Sequence, residues 1–480
     1  MAPHRLSPLR FLNPGAHGSL SPATDTMRLI ACLLACLALA SPAAPAPLNF
    51  IVVLIDDMGA TDLACTGSTF HQTPHIDQLA REGMRFDRAF SACTVCSPTR
   101  AALLTGQSPA RTRITDWIAG HERPKARLLP PEWCKELPEA ITTLPEALRS
   151  KSYASATIGK WHLGNASPLQ HGFNRNAGGY HRGQPETWFA PYRNPALKDG
   201  PDGEFLTERL TTEAIRFMTE HKDRPFFVYL PHYSVHTPLG GKPEVIAQYR
   251  SKVSDNTPHR NPVYAAMVAS VDDSIGQLRK AVRDLALADR TVFIFTSDNG
   301  GLLGSPRNPI TSNLGLRAGK GSPWEGGVRV PLLIDWPGLT KAGSVCHDPV
   351  ITMDLAVTIA HAAGSPLPEP VDGTNLQPAL RGEPLPSRPL CWHYPHYHPG
   401  GASPYSAILL DGWRLVRFLE DGHEELYHVA SDPAERTECS AQHPDRRDRL
   451  ATALDQWLAH TKAQSPRPNP DFQPPAGDAR

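Results

Sequence analysis

Two stretches of the chain are apolar without interruption. Asn49–Ile55 reads N-F-I-V-V-L-I and Thr291–Thr296 reads T-V-F-I-F-T. Unbroken runs of this length mark strands buried on both faces, as in parallel sheets. Phe226–Leu230 and Val330–Asp335 are further runs of the same kind. Between them, Thr207–Thr219 and Tyr264–Asp284 repeat their apolar positions at helical spacing. Strands alternating with helices predict an α/β fold, a large mixed, mostly parallel sheet flanked by helices. The texture changes from about Arg388. Ser406–Leu410 and Trp413–Phe418 are short runs joined by Asp411-Gly412, a hairpin signal. Asp445–His460 then has a helical pattern. These features predict a smaller C-terminal antiparallel sheet with one helix. Gln464–Arg480 is Pro-rich and polar, and reads as a loose tail.

The N-terminus carries one more apolar run, Leu29–Ala40. It is too short for a membrane span, which needs about 18 residues. Arg28 precedes it and Ala38-Leu39-Ala40 closes it, the pattern of a secretory signal peptide beginning at Met27. The predicted organisation is therefore 1–40, upstream segment and signal peptide; 41–387, catalytic domain; 388–463, small α+β subdomain; and 464–480, tail. The product would be exported, periplasmic or secreted. Lipid attachment at Cys36, in L-L-A-C, is a weaker alternative because the apolar run continues past it. Export also bears on the nine Cys. Cys32 and Cys36 leave with the signal peptide, and the other seven are Cys65, Cys93, Cys96, Cys134, Cys346, Cys391 and Cys439. Disulfides are permitted outside the cytosol, and an odd number leaves at least one thiol for other chemistry.

Composition adds two points. The 48 Lys+Arg balance the 48 Asp+Glu, without the basic excess of a nucleic-acid binder. The 49 Pro are roughly twice the usual share, which predicts long, stiff surface loops.

Candidate chemistry begins at the strand ends. In open α/β sheets, ligands bind beyond the carboxyl ends of the strands. Asp56-Asp57 follow the first apolar run, and Asp298-Asn299 follow the second. Oxygen donors converging there suit a hard divalent cation, calcium first and magnesium as the alternative. No His/Cys spacing suggests structural zinc. Ordinary turn residues after strands would look the same.

Cys93-Thr94-Val95-Cys96 could be a redox C-x-x-C pair. However, Cys96–Gly106, C-S-P-T-R-A-A-L-L-T-G, resembles the sulfatase signature, in which the first Cys becomes formylglycine after translation. Gly159–Gly164, G-K-W-H-L-G, resembles the family's second signature. His236-Thr237-Pro238, Ser297-Asp298-Asn299-Gly300, and Lys320 in G-K-G-S-P-W-E-G-G-V-R-V-P match further elements. Glu425–Pro433, E-L-Y-H-V-A-S-D-P, resembles the family's small domain. The chain is similar to arylsulfatase A-type members of the alkaline phosphatase superfamily.

The resemblance implies the following roles. Cys96, as formylglycine, would hydrate to a diol; one hydroxyl attacks sulfur and the other later releases sulfate. A formylglycine-generating enzyme would be a partner. Asp56, Asp57, Asp298, Asn299 and the group at Cys96 would hold the cation. Arg100, four residues after Cys96, would reach back to the diol from a shared helix face. Lys160 and His162 would lie on an extended segment, where alternate residues point the same way. His162 would act as base, and His236 and Lys320 would contact sulfate and protonate the leaving oxygen. A sulfated small molecule or glycan is the implied substrate. The aromatic and His-rich segment Cys391–His398, with His393 and His396, is a candidate sugar-binding rim, as are His181 and His232. His171, Tyr180 and Trp188 are weaker candidates. Two other readings remain: a phosphomonoester or phosphonate hydrolase of the same superfamily, and an inactive sulfatase-like binding protein.

Overall fold

The computed structural model describes residues 46–254 and 257–473. The expected signal peptide and Cys36 lie outside the described residues. Pro47–Arg480 groups as one compact unit, so the two predicted sheets belong to a single body.

The large sheet contains β1 (Asn49–Ile55), β2 (Met84–Phe86), β3 (Ala154–Ile158), β4 (Arg175–Ala177), β5 (Phe226–Pro231), β6 (Thr291–Ser297), β7 (Leu332–Asp335) and β8 (Ser344–Cys346). Their spatial order is β8-β2-β7-β6-β1-β5-β3-β4. β1 pairs in parallel with both β5 and β6. Only β7 runs against its neighbours, β6 and β2. The sheet is mixed and mostly parallel, as the apolar runs predict.

Every residue of β1 is buried. The period of two along a strand sends its side chains to two different cores. Ile51, Val53 and Ile55 pack with residues of α1 (Pro74–Glu82), α3 (Leu206–Glu220) and α4 (Pro262–Asp284). Phe50, Val52 and Leu54 pack with α2 (Cys96–Thr105) and α5 (Met353–Ala362). This two-sided burial explains why the strand shows no polar alternation.

The small sheet runs in the order β9 (Leu390–Tyr394), β10 (Tyr405–Leu410), β11 (Trp413–Phe418), β12 (Glu424–Tyr427), and all its pairings are antiparallel. Asp411 and Gly412 both have positive φ, 50° and 79°, as a type I′ hairpin turn requires. One face, with Trp392, Tyr394 and Tyr405, packs against Val95 and Ala102 beside the start of α2. The other, with Cys391, Ile408 and Leu415, is covered by Leu450 and Leu454 of α6 (Pro444–Thr461). The tail departs from expectation. Arg467-Pro468 pair with Leu128-Leu129, and the Asn469 amide donates to the carbonyls of Pro124 and Ala126 at 2.8 and 2.7 Å. Local polarity concealed a segment held by main-chain pairing. The seven Cys from Cys65 to Cys439 are all free thiols, so no disulfide joins the described residues.

Asp116 is buried against the small sheet. It accepts hydrogen bonds from the Tyr394 hydroxyl at 2.8 Å and the Trp117 N–H at 2.9 Å. Burial pushes its carboxyl up to about 7 despite those bonds. An unfolded aspartate titrates near about 3.9. The folded state therefore holds the extra proton between these values, and stability from this group falls as pH rises from about 4 to 7. Asp116→Asn keeps the acceptor and removes the titration. Thermal melts should show the variant gaining on the wild type across that window; parallel pH profiles would contradict the assignment.

Candidate active site

The site lies beyond the carboxyl ends of β1 and β6. Their register places Ile55 opposite Ser297, so the acidic pairs that follow emerge side by side. The Asp57 N–H donates to Asp298 Oδ1 at 3.2 Å, and the Asn299 amide donates to Asp57 Oδ1 at 2.8 Å. Asp57 has a φ of 64°, a left-handed backbone that Asp tolerates better than most residues. Behind this turn, Asp62 accepts from the Gly59 N–H and the Tyr264 and Thr311 hydroxyls. Those bonds make Asp62, with nearby His71 and His259, an anchor for the turn, which the sequence reading missed.

Three cations meet the three carboxylates. Lys160 Nζ lies 2.6 Å from Asp56 Oδ2, and Lys320 Nζ lies 2.7 Å from Asp57 Oδ1. Arg100 donates to Asp298 Oδ2 through Nε at 3.0 Å and Nη2 at 2.6 Å, with Asp56 Oδ1 at 3.7 Å. Its Nη1 donates to the Lys160 carbonyl at 3.0 Å. Arg100 thus clamps Asp298 and the Lys160 loop together. Burial, helped by the carboxylates of Asp298 and Asp57, pushes the Asp56 carboxyl up to about 8 against the pull of Lys160 and Arg100. Burial acts the same way on Asp57, but Lys320, His236 and the Asn299 amide outweigh it and hold that carboxyl well below the usual range.

Asp56 Oδ1 and Asn299 Oδ1 are buried without a hydrogen-bond partner. Orphaned oxygens are costly unless something binds them. Asp56, Asp57 and His236 also present ligand atoms within 4.8 Å of one another. An oxygen-dominated donor set with two unsatisfied members fits a hard divalent cation.

Cys96 begins α2 and is 2% exposed. Pro98 stands in the first turn, where its missing N–H breaks no helical bond. Cys96 Sγ is 3.3 Å from His162 Nδ1. His162 Nε2 contacts the Ile118 carbonyl, which places the ring proton on Nε2 and leaves the Nδ1 lone pair facing Cys96. Burial, with the charge of Lys160, holds this imidazole well below its ordinary pKa and therefore neutral. His162 has a φ of 57°, so Lys160 and His162 do not share an extended segment as expected. The chain turns between them, and they serve different partners, Asp56 and Cys96. Gly183 covers the ring: a Cβ there would lie 2.4 Å from His162 Cε1.

Cys96, His162, His236 and Lys320 form the floor of a cavity of about 950 Å³. Lys320 Nζ donates to His236 Nε2 at 3.1 Å. Burial and the Lys320 charge lower His236 to about 3, so it too is neutral. Trp117, Lys135, His181, Arg182 and His398 stand among the walls.

Most of the candidate rim residues lie elsewhere. His393 is buried in β9, bonded to Ser406 Oγ at 2.8 Å and the Gln464 carbonyl at 2.9 Å. His396 is buried against Thr115 Oγ1 at 2.8 Å, and His232 against Ser274 Oγ at 3.1 Å. These three fill polar niches and do not line the cavity. His171 packs on Trp161, and Trp188 donates to the Pro238 carbonyl at 2.7 Å. Tyr180 is half-buried beside the His181 ring and is likewise absent from the walls. Of these candidates, only His181 reaches the cavity. His398, the last residue of the candidate segment Cys391–His398, does line the cavity, and Trp117, Lys135 and Arg182 are wall residues the sequence did not single out.

Carboxylates gathered at the carboxyl edge of a mixed α/β sheet, beneath a cavity lined by Lys135, Arg182 and Lys320, suit a site for a cation and an anionic ester. The sulfatase family model matches residues 48–365, and that of the N-sulphoglucosamine sulphohydrolase C-terminal region matches 320–464. The chain belongs to the sulfatase family, the sulfuric ester hydrolases. Mouse N-acetylgalactosamine-6-sulfatase is 31% identical over 490 residues, covering 90% of each chain. Human arylsulfatase A is 33% identical over 397 residues, covering 75% of this chain and 73% of its own. The crystal structure of Ps i-CgsB in complex with k-i-k-neocarrahexaose is 28% identical with a TM-score of 0.73, covering 90% of this chain and 94% of that one. No described helix is long and apolar enough to cross a membrane.

Proposed function

We propose that the protein hydrolyses sulfate monoesters of a carbohydrate. Cys96 is the precursor of the formylglycine nucleophile, and Asp56, Asp57, Asp298 and Asn299 hold a divalent cation, calcium or magnesium. The carrying observation is Cys96 at the head of α2, 3.3 Å from a neutral His162, on the cavity floor it shares with His236 and Lys320.

The cation, when bound, lowers the pKa of the nucleophile and offsets sulfate charge. Hydrated formylglycine supplies one hydroxyl to attack sulfur and another through which sulfate leaves. The other tasks belong to this chain's side chains. His162 Nδ1 takes a proton from the group at position 96. Burial opposes it, but Asp57 holds Lys320 firmly protonated, so Lys320 can offset the ester's charge and protonate the departing oxygen. His236, bonded to Lys320, orients that ammonium. Lys160 and Arg100 hold Asp56 and Asp298 in place. A bound divalent ion would favour the ionised form of Asp56; three carboxylates and three cations would then cancel, and the ion's own charge would leave the floor positive for an anionic ester.

The carbohydrate reading rests on the N-acetylgalactosamine-6-sulfatases among the relatives and on the cavity walls. Trp117 offers a face for a sugar ring, and Lys135 and Arg182 suit an acidic glycan. Export through the Leu29–Ala40 segment belongs to the same proposal. A peptide mass spectrum across Cys96 from natively expressed protein, paired with turnover of sulfated saccharides, provides the test. The expected result is an aldehyde in place of the thiol in active protein. An intact thiol in a fully active preparation would sink the mechanism.

A further inference from the structure

His398 closes the aromatic segment that begins at Cys391 and follows β9 into a tight loop. The Gly401 N–H donates to the His398 carbonyl at 2.9 Å, and the His398 N–H donates to the Ala402 carbonyl at 3.0 Å. The imidazole is 7% exposed and lines the cavity that also holds Cys96, His236 and Lys320. The Gly400 N–H donates to its Nδ1 at 3.0 Å. A neutral ring that accepts at Nδ1 carries its proton on Nε2. Nε2 has no hydrogen-bond partner among the described residues and is not sealed from solvent. The ring is also held in place. A Cβ at Gly321, whose φ is 83°, would lie 2.0 Å from His398 Nδ1, so glycine there makes room for the imidazole. Burial, reinforced by the Lys320 charge, lowers its pKa to about 4, so it stays neutral in ordinary buffers.

A fixed, neutral donor at the wall beside Lys320 does not suit the sulfate group, which the charged floor already serves. It suits a neutral acceptor on the alcohol that carries the sulfate. We infer that His398 is a substrate-binding residue whose Nε2–H donates to a hydroxyl of the sugar bearing the ester. It would thereby favour sulfated sugars over sulfate esters lacking a neighbouring hydroxyl. The inference rests on the carbohydrate sulfate reading above.

The test uses full-length protein carrying Cys96→Ala, so that ligand persists, with calcium present. Isothermal titration compares a panel of monosaccharide sulfates, headed by N-acetylgalactosamine 6-sulfate, with inorganic sulfate. Adding His398→Phe should weaken the best sugar sulfate about tenfold or more, the worth of one buried hydrogen bond, while inorganic sulfate changes less than about twofold. His398→Gln, which keeps a donor, should recover most of the loss. Equal losses for both ligands, no loss for either, or no sugar sulfate bound at all would overturn the inference. Ester turnover by Cys96-intact protein reports separately on the sulfatase reading. Sugar binding through His398 without turnover would preserve this inference and defeat that one.

Discussion

Cys96→Ala should remove sulfate ester turnover, lowering kcat on the order of 10^4-fold or more, as loss of a covalent nucleophile does. The side chain stands at the start of α2 with its sulfur against the His162 lone pair, and alanine leaves that base facing nothing. The fold should survive. One sulfur is lost from a helix whose ten residues are all buried among other contacts. A stability cost near 1 kcal/mol is the ordinary result for such a change. Steady-state turnover of an aryl sulfate beside a urea unfolding curve separates the two effects. Hydrolysis at the wild-type rate would remove Cys96 from the mechanism, whatever its surroundings.

Asp298→Ala should damage both function and stability. Asp298 Oδ2 takes two hydrogen bonds from Arg100, and both side chains are fully buried. Without it, the guanidinium keeps its bond to the Lys160 carbonyl and, as its remaining carboxylate, Asp56 at 3.7 Å. Removing one partner of a buried pair costs about 3–5 kcal/mol, because an uncompensated charge remains inside. Loss of a cation ligand should also cut kcat/KM on the order of 10^3-fold. Calcium titration during thermal melts isolates the second effect. The wild-type Tm should rise with calcium by mass action and fall with chelator, while the variant's stays flat. A variant that still responds to calcium would show that Asp298 serves Arg100 and not the cation.

Much of this was legible in sequence where one physical cause dominates. β1 and β6 are sealed on both faces, so unbroken apolar runs revealed them. Their acidic ends were visible because a strand's carboxyl edge is where ligands bind. The direction of β7 was not visible, since Leu332–Asp335 has the same apolar character whichever way it runs. The rim histidines failed for a related reason. β9 is covered by a core on each face, so nothing in its residue pattern distinguishes a sealed His393 from an exposed one. His398 lies beyond the strand, and only the fold of its loop brings it to the cavity. The roles of Cys96, His162, His236 and Lys320 came from the family signatures. Spacing alone did not join positions 66 to 224 residues apart, and it misjudged the turn at His162.

The burial of Cys96 also bears on how the protein is made. Its side chain is almost fully buried on the floor of a cavity of about 950 Å³. The helix it heads is closed over by the small sheet, whose strands are synthesised well after it. If Cys96 is converted as proposed, the modifying enzyme would have to meet this thiol while the polypeptide is still open. Maturation would then be a race between chemical conversion and folding, and chains that fold first would be trapped as inactive molecules with native shape.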